Sequence, residues 1–160
     1  IINEGQDFTV VVDYAHEKES MTNLLQTAVS IRKPGSKIIV LLGAEGGGRD
    51  KAKRPLMGEI SARLADYVIV ANVDPYEDDP KEIIEDIAIV AEKFGKIRNK
   101  DLFTIEDRKT AIEKAFELAK TDDIVLITGK GAEQSMIIDG RSIPWDDRKV
   151  VRSILIANKK

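Results

Sequence analysis

Unbroken aliphatic runs that end in polar or glycine-rich turns constrain this chain more than any other feature. Thr9-Val10-Val11-Val12 stops at Asp13, residues 37–42 stop at Gly43, and residues 124–128 stop at Gly129. Runs without polar alternation form strands buried on both faces of a parallel sheet. The segments between them carry helical spacing. Met21, Leu24, Leu25, Ala28 and Ile31 predict a helix over 20–31, stopped by Pro34-Gly35, and a second helix over 56–64 opens near Pro55. A third strand over 67–71 leads to a helix from Asp79-Pro80 through Ile83, Ile84, Ile87 and Val90. A short strand over 102–104 precedes a helix that Asp107 caps and that carries Ala111, Ile112, Ala115 and Leu118. After the strand at 124–128, Asp139-Gly140 between Ile138 and Ile143 marks a hairpin-like excursion, and residues 146–157 form a closing helix. Strands alternating with helices at this spacing imply an α/β fold. It is expected to be a Rossmann-like three-layer αβα domain, with a mostly parallel sheet, right-handed crossovers and helices on both faces.

One domain over residues 1–160 is expected, since no repeat, linker or low-complexity stretch divides the chain. Without cysteine there is no disulfide framework, thiolate zinc site or cysteine nucleophile. The longest apolar run is far below the roughly 20 residues that cross a bilayer, and no charged-then-apolar leader opens the chain. A cytoplasmic protein with no membrane partner is expected. Asp and Glu (28) outnumber Lys and Arg (25), which gives no long-range pull on nucleic acid. The local cluster Arg49, Lys51, Lys53 and Arg54 suits a small anion instead.

Ligands of parallel α/β sheets bind at the carboxyl ends of strands, and the polar loops of this chain fall there. Asp13-Tyr14-Ala15-His16 puts a carboxylate and the only imidazole just past the first strand. They suit ribose hydroxyls and a phosphate or base, or else they cap the following helix. Gly46-Gly47-Gly48 with the basic cluster combines close backbone approach with anion neutralisation, but its spacing is neither a Walker A loop nor a dinucleotide fingerprint. Asn72-Val73-Asp74-Pro75-Tyr76 is an acidic turn without the spacing of a calcium loop. In Gly129-Lys130-Gly131-Ala132-Glu133, Lys130 offers a point charge to an anion, whereas Glu133 is suited to a substrate ammonium group or faces solvent.

Six segments in this order resemble the C-terminal domain of the Mur ligase family, of the MurE type that adds the third residue to UDP-N-acetylmuramoyl-L-alanyl-D-glutamate. They are Val11-Val12-Asp13-Tyr14-Ala15-His16, the stretch from Arg49 to Gly58 that contains Lys53-Arg54-Pro55-Leu56-Met57-Gly58, Ala65-Asp66-Tyr67-Val68-Ile69-Val70, Asp107-Arg108 with Ala111-Ile112, Ile127-Thr128-Gly129-Lys130-Gly131-Ala132-Glu133, and the stretch from Gly140 to Arg148. The resemblance implies an ATP-dependent amide ligase working through an acyl phosphate, with the isolated domain inactive by itself. It implies further that an N-terminal UDP-binding domain and a central ATPase domain lie outside this chain, the latter holding most of the Mg2+ contacts. By the resemblance Asp13 and His16 face the nucleotide, Arg49 the carboxylate of the incoming amino acid, and Gly129 and Glu133 its far end. Lys53, Arg54 and Lys130 are possible anion contacts. A monomer that packs on the central domain is expected.

The sequence departs from that pattern where the family loop reads Asp-Asn-Pro-Arg and this chain has Val73-Asp74-Pro75-Tyr76. Tyr76 cannot pair with a second carboxylate as arginine would, and Asp74 brings a negative charge where an amide is usual. The amino acid therefore stays open between diaminopimelate, lysine and ornithine. Ala132 also stands where histidine is common, and the glycine-rich loop is longer. Two other readings remain: a related ligase of the folylpolyglutamate or cyanophycin synthetase type, and a nucleotide- or metabolite-binding module without catalysis.

Overall fold

A computed structural model of the chain describes residues 1–49 and 51–158. The elements in order are β1 (Thr9–Val12), α1 (Lys18–Ile31), β2 (Ile38–Leu42), α2 (Lys53–Leu64), β3 (Tyr67–Val70) and α3 (Pro80–Lys93). Then follow β4 (Leu102–Thr104), α4 (Arg108–Leu118), β5 (Ile124–Ile127), β6 (Ser135–Ile138), β7 (Arg141–Pro144) and α5 (Asp147–Ala157). Five strands form one parallel sheet in the order β1-β5-β2-β3-β4, while β6 and β7 pair antiparallel as a separate hairpin. The expected three-layer αβα arrangement is what the chain adopts.

Every residue of β2 and β5 is buried, as their unbroken aliphatic runs require. Side chains alternate across the sheet, so two cores result. Val40, Leu42, Val68, Val70 and Leu126 face Met21 and Leu25 of α1, Met57 of α2 and Ile84 and Ile87 of α3. On the other face Ile39, Leu41, Ile69, Val125 and Ile127 meet Ile112 and Phe116 of α4 and Val151 and Leu155 of α5. Burying one such side chain contributes about 1.5–3 kcal/mol.

Three helix starts follow from local chemistry. Asp79, Asp107 and Asp146 each accept a bond from a first-turn backbone N–H at 2.8–3.0 Å. Asp139 and Gly140 both take positive φ (49° and 67°), the tight turn their sequence predicts for a hairpin. Helix α2, by contrast, begins at Lys53 rather than near Pro55, because its first turn is anchored by buried charges that apolar spacing cannot reveal.

The strand order decides where a ligand can sit. β5, the last strand of the sheet, inserts between β1 and β2. β1 and β2 lead into helices on one face, whereas the chain leaving β5 goes to the face covered by α4 and α5. The connections therefore diverge at the carboxyl end of β5, the topological switch point where open α/β sheets bind ligands.

Candidate functional site

Four loops at this carboxyl edge are tied into a ring. Gly46 N donates to the Asp74 carbonyl at 2.8 Å, joining the loops after β2 and β3. A Cβ at Gly46 would lie 2.0 Å from the Pro75 carbonyl oxygen, so only glycine permits this approach. Lys130 Nζ lies 2.7 Å from Asp74 Oδ2 and 2.6 Å from Glu133 Oε2, joining the loop after β5 to that after β3. Gly131 backs onto Tyr14, where a Cβ would fall 2.8 Å from the Tyr14 Cβ, which brings in the loop after β1. Lys53 closes the ring, donating to Glu17 Oε1 at 2.9 Å.

On the side of β1, Asp13 N is held by the Ile127 carbonyl at 2.9 Å, and Asp13 Oδ1 accepts from Ala15 N at 2.8 Å. That local turn rotates His16 back so that its Nδ1 lies 2.9 Å from the Tyr14 carbonyl, with the two rings edge-on at 4.5 Å. The cap position of α1 belongs to Glu17, whose N–H donates to Ser20 Oγ at 3.2 Å. Asp13 and His16 thus stand at the switch point rather than on the helix end.

On the other side, Arg49 Nη2 donates to the Tyr76 hydroxyl at 3.2 Å, its guanidinium carbon lies 5.5 Å from the Tyr76 ring centre, and its Nη1 is 3.6 Å from the Glu45 carboxylate. Tyr76 itself has φ of 56°, a left-handed conformation that costs a non-glycine residue about 1–3 kcal/mol. Its backbone is held there by Ile137 and Gly140 of the hairpin, each bond 3.3 Å. Gly129 also has positive φ (100°), which turns the chain sharply off β5. Asp74 is buried, its Oδ1 accepting from Ile137 N at 2.8 Å, whereas the Glu133 side chain keeps 37% exposure. Tyr14 holds its phenolic proton above the ordinary range, first through partial burial and then through the facing Glu133 carboxylate.

The three possible anion contacts are placed differently from what their positive charge suggests. Lys53, Arg54 and Lys130 are 7%, 2% and 1% exposed, and each already meets a carboxylate of this chain. Their charge neutralises buried acids instead of facing the rim. Arg49, by contrast, keeps substantial exposure, 55% for its side chain. Asp50, within the basic loop, lies outside the described residues. Among the described residues no three His, Asp or Glu side chains gather as a metal cage. No helix among them is long and apolar enough to cross a membrane.

Composition and spacing missed one residue that shapes the edge. Arg108, wholly buried, donates through Nη1 to the Asn72 carbonyl at 3.1 Å and through Nη2 to the Thr128 carbonyl at 2.7 Å, the residues just past β3 and β5. The Asp107-Arg108 pair stands out in the sequence as a helix start and as part of the family resemblance, but neither reading reveals the buried contacts of Arg108.

A family model described as "Mur ligase, glutamate ligase domain" matches residues 1–131. The chain is 45% identical over 157 residues to the UDP-N-acetylmuramyl-tripeptide synthetase of Treponema denticola, covering 98% of this chain and 29% of that protein. It is 42% identical over 151 residues to the UDP-N-acetylmuramoyl-L-alanyl-D-glutamate–2,6-diaminopimelate ligase of Syntrophomonas wolfei, covering 94% and 30%. A solved structure of a ligase with that same diaminopimelate description superposes with a TM-score of 0.85 at 32% identity, over 99% of this chain and 31% of that one. The chain spans about three tenths of the length of the curated relatives it matches. The family match runs from β1 through β5 and takes in the loops after β1, β2 and β3 and the opening of the loop after β5, and so the chain belongs to the Mur ligase family.

Proposed function

We propose that residues 1–160 are the C-terminal domain of an ATP-dependent ligase that adds the third amino acid to UDP-N-acetylmuramoyl-L-alanyl-D-glutamate in the cytoplasm. The observation that carries this reading is the ring of four loops around the carboxyl end of β5. It sets Asp13 and His16 on one side and Arg49, Tyr76 and Glu133 on the other. In the proposed reaction a carboxylate oxygen of the nucleotide dipeptide attacks the γ-phosphorus of ATP and ADP leaves. The amine of the incoming amino acid then attacks the acyl phosphate carbon, phosphate departs, and the amine loses a proton. Mg2+, held chiefly by a central ATPase domain beyond this chain, would screen the phosphate charge during the first transfer.

The residues described here bind and orient. Asp13 is suited to accept from ribose hydroxyls and His16 to approach the phosphates. The planar Arg49 guanidinium suits bidentate capture of the amino acid carboxylate. Glu133, half-exposed beside Gly129, suits a distal ammonium group. Asp74, buried and already paired with Lys130 and the Ile137 N–H, holds the loop that carries Tyr76 rather than facing the amino acid. With Tyr76 where a second cation would be required, the site favours a diamino acid with one carboxylate, such as lysine or ornithine. The domain closes on the central ATPase domain of the same monomer.

ADP release by the complete polypeptide tests this, with UDP-N-acetylmuramoyl-L-alanyl-D-glutamate present and lysine, ornithine and meso-diaminopimelate offered in turn. Release dependent on lysine or ornithine supports the whole reading. Release with diaminopimelate alone keeps the ligase and overturns the role given to Tyr76. Silence with all three, from a folded protein that binds ATP, overturns the tripeptide reaction.

A further inference from the structure

Lys53 and Arg54 open α2 side by side, yet the first turn of a helix is the wrong place for positive charge, because the helix dipole already points its positive end there. Burial makes the arrangement more demanding, since a desolvated cation needs partners. Each residue finds them in a different loop. Lys53 Nζ reaches Glu17 Oε1 at 2.9 Å, and this oxygen lies 3.6 Å from Nε2 of the adjacent His16. Arg54 Nη1 donates to Asp86 Oδ2 of α3 at 2.9 Å, while its Nη2 donates to the Glu45 carbonyl at 3.0 Å. The Glu45 side chain in turn lies 3.6 Å from Arg49, which holds the Tyr76 hydroxyl.

We propose that Lys53 and Arg54 are a pair of positioning residues that register the two halves of the site from one helical turn, Lys53 setting the nucleotide side through Glu17 and Arg54 the amino-acid side through Glu45. The inference rests on the roles given above to His16 and Arg49. Adjacent residues on a rigid helix move together, so the separation between the two subsites is set by the start of α2 rather than by the glycine-rich loop alone. This explains why the cations face inward although they end a basic stretch of sequence whose composition suits anions. It also predicts that lysine cannot stand in for Arg54, whereas arginine can stand in for Lys53. One partner suffices for an ammonium group, whereas a guanidinium fork can bridge a carboxylate and a carbonyl at once.

The test is a two-substrate kinetic comparison in the complete polypeptide. Lys53→Met and the milder Glu17→Gln are expected to raise KM for ATP on the order of tenfold, leaving KM for the amino acid within about twofold. Arg54→Lys and Asp86→Asn are expected to do the reverse, and Lys53→Arg to restore most of the ATP affinity. Glu17 and Asp86 are half-exposed, so their variants keep the test open if the buried ones do not fold. A parallel rise of both KM values, or no rise in either from folded variants, overturns the proposal. His16→Ala and Arg49→Ala run alongside: if these leave both KM values unchanged, the site reading itself fails, a result distinct from failure of the positioning pair.

Discussion

Arg108 and Asp147, 39 residues apart, meet as a bidentate pair with no exposure on either side chain: Nε and Nη2 donate to Oδ1 and Oδ2 at 2.8 and 2.7 Å. The Trp145 indole adds a third donor to Oδ1 at 2.8 Å. The pair ties the start of α4 to the start of α5, and through the Asn72 and Thr128 carbonyls it holds the carboxyl ends of β3 and β5 together. A bidentate, fully hydrogen-bonded pair is the geometry in which burying two charges is tolerated.

Removing one member strands the other. Arg108→Met is expected to lower the unfolding free energy by about 3–5 kcal/mol, measured by urea denaturation. The double variant Arg108→Met with Asp147→Leu should recover part of that loss, because an apolar pair leaves no uncompensated charge. A double variant no more stable than the single one would show that the lost carbonyl contacts dominate.

Lys130 has two carboxylate partners, whereas Asp74 has one cation and one backbone donor. Lys130→Met should therefore destabilise by about 3–5 kcal/mol, by leaving Asp74 buried and uncompensated, and Asp74→Asn by distinctly less, because Glu133 still pairs with Lys130. Thermal denaturation of the two variants checks the order. A reversed order would mean that Glu133 does not neutralise Lys130 in solution.

Gly46→Ala places a methyl group 2.0 Å from the Pro75 carbonyl oxygen, which is backbone and cannot swing aside. The expected loss is about 1–3 kcal/mol from overpacking, together with slower hydrogen exchange protection loss at β2 than at the Gly46 amide, whose bond to Asp74 must break. Gly48→Ala has open space and positive φ (74°), so it should feel backbone strain alone and leave the Asp74 contact intact.

Asp66 follows pH in a defined direction. Burial by itself would raise its carboxyl pKa, but the Ile38 N–H at 2.9 Å and the Lys37 ammonium at 3.1 Å outweigh that and hold it below the ordinary 3.8. A depressed folded value means that its stabilisation is fully present above the unfolded value and lost as pH falls through the lower folded one. Asp66→Asn should flatten the acid limb of the stability curve below about pH 4 while lowering stability at neutral pH. An unchanged acid limb would assign that limb to other carboxylates.

Local patterns carried far in this chain. The aliphatic runs announced β2 and β5, Asp139-Gly140 announced the turn between β6 and β7, Asp107 announced a helix cap, and Asp79-Pro80 and Asp146 announced two further helix starts. Each is a property of a few neighbouring residues, since burial on both faces, a positive φ and a capped N–H are decided within one segment. The polar loops after β1, β2, β3 and β5 could likewise be placed at strand ends, and their order in the sequence carried the family resemblance.

What the sequence could not decide was which of those loops touch. Only the tertiary structure inserts β5 between β1 and β2 and so makes the loops after β1 and β5 neighbours. The same arrangement turns Lys53, Arg54 and Lys130 inward, because Glu17, Asp86 and Asp74 arrive from other segments to receive them. A charged residue in a loop has the same local signature whether it greets solvent or a buried partner. The difference is the desolvation of a pair assembled across the fold, a quantity that exists only once the strand order has brought distant segments together.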